Sequence, residues 1–366
     1  MQRVETGRSG GGPRRRKVEG PRPAVLGTAL AVVLFALCLW LPLASQGAPQ
    51  ATGHRAPVAR DGLLAAVDPL SLSGVGRLGP GRLERILRQV ANAPDTCLKA
   101  GSIDRRSAQK AELSRLFQTL SKSPLARLLM RRAGWSEVYV CADPATDLLG
   151  YYLAGLRLIG LNPHLSQGQK VAFLAHELSH VPQHDTYSDN RYFPPGDLIL
   201  LRRVREAAAE ALATRIAWQL RAAGHPEAWN EKAADRFYGD IARAFAAAHD
   251  TLPTPLGELI ATRAAFDRWF AMPGRLDLYD RMTADHLRRI SGDRMGLVSP
   301  RKALTHAFLA GIARLGGGDP LFSTMGRRLT DDYYRGQISV RNAALLECVL
   351  ESAGARVDPL PPEPIT

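Results

Sequence analysis

His176, Glu177 and His180 stand in "AHELSHVPQHD", residues 175–185, where two of the chain's nine histidines lie four positions apart around a glutamate. Two imidazoles at that spacing reach one ion only from successive turns of a helix, which constrains the local fold more than any other feature of the 366 residues. Val171, Leu174, Ala175 and Leu178 supply the apolar stripe such a helix needs. The spacing therefore predicts a helix from Ser166 through Val181, with the histidines on a neighbouring face. Glu177, beside the first imidazole, is placed to touch a water held by a metal. From composition alone, this pattern arises by chance in about one chain of this length in a hundred, so a third ligand decides what it means.

A third histidine six positions after the second would complete one known arrangement, HExxHxxGxxH, but Thr186 stands there and Gln183 takes the place of its glycine. His184 is only four beyond His180, and Pro182 is expected to interrupt the helix between them. That leaves His184 a solvent-facing or substrate-side position, with coordination as the alternative. "RRVREAAAEALATRIAWQL", residues 202–220, is a stronger source. Glu206 and Glu210 are four apart in a helical run and share a stripe with Ile199, Ala213 and Ala217, which points both carboxylates toward packed protein. The competing reading pairs them with Arg202, Arg203 or Arg205 on a solvated face. Two carboxylates on a small apolar stripe are costly unless hydrogen-bonded or bound to a cation, and a cation is the reading adopted.

"HELSHVPQH" followed by "RVREAAAE" resembles the gluzincin metallopeptidases, most closely the membrane-associated bacterial enzymes related to HtpX and the CAAX prenyl proteases. It is also similar to a group of bacterial metallopeptidase domains with a helical C-terminal part. The resemblance covers residues 150–220. It implies a Zn2+ ion held by His176, His180 and Glu206, with Glu177 as general base. Glu210, where those families usually carry Asp, would orient a ligand histidine, and Arg203 matches their arginine three positions before the ligand glutamate. Zinc so held would activate water and polarise a peptide carbonyl, while Glu177 takes the water's proton and passes it to the leaving amine. Tyr187, Tyr192, Tyr279 and His286 are eligible by type to stabilise the oxyanion, and the sequence does not rank them.

Two extended segments precede the motif: "WSEVYVC", ending at Cys141, and "GYYLAGLRLIGLNP", running to Pro163. The second is either an edge strand that pairs with an extended substrate or an ordinary hairpin packed on the helix. Elsewhere helical patterns dominate. Leu113, Leu116, Phe117 and Leu120 recur at helical spacing before a break at Pro124, and residues 226–350 read as several amphipathic helices.

The N-terminus sets location. Residues 24–44, "AVLGTALAVVLFALCLWLPLA", carry no charge and are long enough to span a bilayer. Arg14, Arg15, Arg16, Lys17 and Arg22 before them keep the start in the cytoplasm and send the rest outward. The segment is an uncleaved anchor or a signal peptide. The net charge of +13 does not imply nucleic acid: the first 22 residues hold five of those net charges, only seven of 48 basic residues are lysine, and no basic block is interleaved with aromatics. Of four cysteines, Cys38 lies in the apolar run, leaving Cys97, Cys141 and Cys348. Cys97 and Cys141 either pair, in an oxidising compartment, or remain free buried thiols.

Together these readings give a mainly α protein with a small β element (α+β) and a zincin-like core. The expected organisation is a basic segment (1–22), an apolar span (23–45), a linker (46–62), a catalytic domain (63–225), a helical part (226–355) and a disordered tail (356–366). The expected function is a membrane-anchored zinc endopeptidase acting on peptide or protein outside the cytoplasm. Two alternatives stand beside it: a noncatalytic helical protein whose zinc site is structural or inactive, closed for instance by His184, and a zinc hydrolase acting on cell-wall or small-molecule amides.

Overall fold

Ser or Thr ahead of Pro marks where helices begin. Ser123 Oγ accepts from the Ala126 amide at 3.1 Å with Pro124 in the first turn, and Thr254 Oγ1 accepts from the Gly257 amide at 3.1 Å ahead of Pro255. Ser166 and Gln169 form a reciprocal capping box, at 3.0 and 3.1 Å, that starts the helix carrying the histidines. The computed structural model describes residues 96–144, 149–153, 157–186, 193–290, 304–313 and 326–352. The apolar run 24–44, the linker and the C-terminal tail lie outside them. Among the described residues no helix is long and apolar enough to cross a membrane.

The elements are β1 (Cys97–Lys99), α1 (Ala108–Leu120), α2 (Pro124–Trp135), β2 (Tyr139–Ala142), β3 (Gly150–Leu153), β4 (Leu158–Leu161), α3 (Gln167–Thr186), α4 (Pro195–Ala222), α5 (Glu227–Ala234), α6 (Gly239–Thr251), α7 (Pro255–Trp269), α8 (Pro273–Ile290), α9 (His306–Ala313), α10 (Asp332–Arg335) and α11 (Val340–Ser352). The protein is mainly α with one small sheet, as the sequence patterns require.

The sheet runs β1-β2-β4-β3, with β1 antiparallel to β2, β2 parallel to β4, and β3 antiparallel to β4. "GYYLAGLRLIGL" is thus not one strand: β3 and β4 fold back on each other, and β3 becomes an edge. Cys97 sits opposite Cys141 in the β1–β2 register and the two form a disulfide. The amide of Ala142 donates to the Thr96 carbonyl at 2.9 Å next to this pair, so the cysteines occupy a closely spaced site of the antiparallel ladder.

Helix α4 is the centre of the molecule. Ala207, Ala208, Ala209, Ala211, Ala213 and Ala217 are all buried, and these small side chains let α3, α5, α7 and α8 approach its axis. One apolar core runs from Leu98 in the sheet to Tyr334 in α10, and a smaller cluster joins Ile199 of α4 to Leu287 of α8 and Val349 of α11. The helical pattern at 227–250 divides at Asp235, whose Oδ1 accepts from the amides of Phe237 and Tyr238 at 2.7 and 2.8 Å and so closes a turn.

Pro182 does not end α3, which continues to Thr186. Proline removes one helical donor, but the turn around it is held by side chains: His180 Nδ1 bonds Gln183 Oε1 at 2.9 Å, and Gln183 Nε2 donates to the Arg205 carbonyl of α4 at 3.1 Å.

Candidate metal centre

Four turns of two adjacent helices build the site. On α3, His176 and His180 project toward α4 from successive turns, with ring centroids 4.9 Å apart and Nε2 atoms 3.2 Å apart. On α4, Glu206 meets them: its Oε2 lies 3.5 Å from His176 Nε2 and 3.8 Å from His180 Nε2. One donor atom from each of the three residues falls within 4.8 Å of the other two.

The far sides of both imidazoles are held. His176 Nδ1 lies 3.1 Å from Glu210 Oε2, and Lys232 Nζ of α5 donates to Glu210 Oε1 at 2.6 Å. His180 Nδ1 donates to Gln183. With each Nδ1 committed to an oxygen acceptor, both Nε2 atoms face the shared centre with Glu206. Convergent imidazole nitrogen and carboxylate oxygen, each fixed from behind, suit a borderline divalent ion such as zinc.

Electrostatics describe the same centre without a cation. Burial alone would lower the His176 pKa, but the carboxylates of Glu206 and Glu210 outweigh it and raise it to about 10. Burial pushes His180 down to about 4, against the pull of Glu206. One imidazole is therefore charged and the other neutral, as two rings in contact require. Neutral His180 keeps its proton on Nδ1 for Gln183, so the Nε2 proton of His176 points into the gap between His180 and Glu206, where a cation would sit. Both glutamates resist burial, which raises a carboxyl: the His176 bond, the charge His180 takes on below about pH 4 and the charge of Arg202 hold Glu206 at about 2, and Lys232 with His176 holds Glu210 at about 2. Glu177 differs, since burial raises it to about 7.

Glu177 is 8% exposed and lies against β3, where a Cβ added at Gly150 would stand 3.4 Å from its Cγ. The edge strand passes the carboxylate at its one position without a side chain. Tyr279 of α8 is hydrogen-bonded through its hydroxyl to Tyr238 at 2.9 Å. Burial raises its pKa well above 10, with Tyr238 and Glu206 adding to the shift, which keeps a neutral phenol near the cluster. The side chains of His184 and His286, and Tyr187 and Tyr192, lie outside the described residues.

The structure thus brings His176, His180, Glu206 and Glu210 together, with Glu177 beside them. Arg203 is engaged elsewhere: fully buried, it pairs with Asp280 of α8, at 2.8 Å through Nε, and reaches the Tyr334 carbonyl at 3.3 Å. Its contacts clamp α4 to α8 and to the end of α10. Sequence reasoning missed Gln183 and Lys232 as partners of the site; Arg202, which the competing reading paired with the glutamates, does approach one of them, its NH2 lying 3.7 Å from Glu206 Oε1. Gln183 was legible as the residue three after His180 on one face. Lys232 was not, because only folding brings α5 against α3 and α4.

A helical domain that converges two histidines and a glutamate beside an edge strand has the parts of a metal-dependent hydrolase. Residues 90–321 match the model of the "Putative metallopeptidase family (DUF6782)", and the chain belongs to that family. Membership implies a metal, and the His176, His180 and Glu206 cluster is a site able to hold one. No curated protein and no solved structure matches the chain.

Proposed function

We propose that the chain is a membrane-anchored, zinc-dependent endopeptidase of the gluzincin kind, acting outside the cytoplasm, with Zn2+ held by His176, His180 and Glu206. The convergence of those three donors, each histidine held from behind by an oxygen acceptor, carries the reading. Zinc bound there supplies Lewis acidity that activates water and polarises a carbonyl. Glu177 is the general base: its pKa near 7 lets it take a proton from water and return it to a leaving amine. Glu210 fixes the orientation of His176, and Gln183 that of His180. Strand β3 supports the peptide assignment, because an extended substrate added along this edge would run past Glu177 over Gly150. The apolar run 24–44 with its basic flank supports the anchor, and the Cys97–Cys141 disulfide fits an oxidising compartment.

The test is metal content and casein hydrolysis by the full chain in detergent. Wild type should carry one zinc per chain, His176→Ala should lose it, and Glu177→Gln should keep it while losing most turnover. Undiminished hydrolysis by Glu177→Gln would remove it as base, and full zinc in His176→Ala would place the ion elsewhere.

A further inference from the structure

From Leu113 to Trp135 the chain carries five basic residues and no acidic one. Three of them, Arg127, Arg131 and Arg132, lie on helix α2, whose other face is apolar. Leu125, Ala126, Leu129, Met130 and Ala133 are buried, which turns Arg127, Arg131, Arg132 and Trp135 outward, and all four are exposed. Trp135 is 75% exposed, although tryptophan ordinarily buries most of its surface. Arg157, also exposed, donates to the Ser136 carbonyl at 3.1 Å and so adds a fourth guanidinium at the residue that follows Trp135. Ile103, 55% exposed, follows the turn in which Gly101 approaches Met130 of α2. Exposed Glu137 is already 3.7 Å from Lys99.

Guanidinium groups around an amphipathic ring and a branched aliphatic match a lipid headgroup layer, with arginine on phosphate and tryptophan at the interface. Single-stranded nucleic acid would call for several stacking rings, whereas this face has one indole and an isoleucine.

We propose that this face, Arg127, Arg131, Arg132, Arg157, Trp135 and Ile103, seats the domain on the anionic headgroups of the membrane. The inference deepens the anchored reading and relies on it only for the nearness of the lipid. The test reconstitutes the full chain in phosphatidylcholine vesicles with or without phosphatidylglycerol, doped with a lipid bearing a quencher at headgroup level. The Trp135 signal is the difference between wild type and Trp135→Phe. It should be quenched in phosphatidylglycerol vesicles, released by high salt, and unquenched in phosphatidylcholine alone. Replacing Arg127, Arg131 and Arg132 together by Gln should abolish the quenching and leave retention after an alkaline wash unchanged.

Absence of quenching in a chain that resists the wash overturns the seat and leaves the anchor standing. A chain that washes off refutes the anchor, and the face is then judged by cosedimentation with phosphatidylglycerol vesicles at low salt. There the triple replacement should weaken binding about 100-fold, since each basic residue near an anionic surface contributes about fivefold. Equal binding to phosphatidylcholine, or a preference for single-stranded RNA over vesicles, overturns the proposal.

Discussion

Nδ1 of His176 lies 3.1 Å from Oε2 of Glu210, and the other oxygen of that carboxylate receives Lys232. Glu210 and Lys232 are 5% and 8% exposed, so the pair is stable only while both charges remain. Lys232→Met should destabilise the metal-free protein by about 3 kcal/mol, because it leaves the buried Glu210 carboxylate with His176 as its remaining cationic partner. Adding Glu210→Gln should recover part of that loss. Urea unfolding of the two single variants and the double variant closes the cycle, and strictly additive losses would show that the two residues do not interact.

Glu206 and Glu210 have unequal places. Glu206 supplies a donor to the centre itself, so Glu206→Gln should severely weaken zinc binding. Glu210 acts through His176, and Glu210→Gln should weaken it by about 10 to 100-fold. Zinc titrations of both variants, each checked by circular dichroism, order them. The reverse order would put the ligand one helical turn further along α4.

In the metal-free protein His176 holds its proton up to about pH 10, against an ordinary value of 6.5. A raised folded-state pKa stabilises fully below the unfolded value and is lost as pH rises through the folded one. Metal-free protein should therefore lose stability between about pH 6.5 and pH 10, as His176 gives up its charge to solution. Zinc must displace the same proton, so apparent affinity should rise about tenfold per pH unit at neutral pH, with one proton released per ion. Calorimetry in buffers of different ionisation enthalpy counts it. No proton release at pH 7 would mean that His176 is already neutral in the metal-free protein.

The sequence showed the site more fully than its surroundings. The spacing of His176 and His180 and of Glu206 and Glu210 survives folding because each pair lies within one helix, where position in sequence fixes position on a face. For "GYYLAGLRLIGL" the sequence left a single edge strand and a hairpin equally open, since both halves are apolar and the choice depends on pairing of the second half with β2. Pro182 misled for a related reason. Its effect on the helix was local and legible, whereas the Gln183 bond to the Arg205 carbonyl, which ties down the following turn, joins two helices. Arg203 matched a family pattern by position, but its partner Asp280 lies 77 residues away.

The Cys97–Cys141 bond closes a separation of 44 residues across neighbouring strands. Replacing both cysteines by alanine should cost about 2 to 4 kcal/mol, chiefly by freeing the unfolded chain. Thermal unfolding with and without reductant reads this. Reductant should shift wild type and leave the double variant unmoved, and a reductant-insensitive wild type would show that the bridge contributes nothing.

Arg202 gives the prediction with the least obvious sign. Its guanidinium approaches Glu206 to 3.7 Å on the side away from the histidines, and its Nε is buried without a hydrogen-bond partner. In the metal-free protein this cation stabilises the Glu206 carboxylate. Beside a divalent ion it repels the ion that Glu206 would hold. The repulsion is moderated by solvent, because the Arg202 side chain is 29% exposed. Arg202→Gln should therefore bind zinc more tightly, by about 1 kcal/mol or up to tenfold, and the gain should shrink as salt screens the charge. Competition with a chelator of known affinity, at low and high ionic strength, measures both effects. Weaker binding in Arg202→Gln would mean that the guanidinium serves mainly to aim the Glu206 carboxylate, and that its charge is outweighed by the order it imposes.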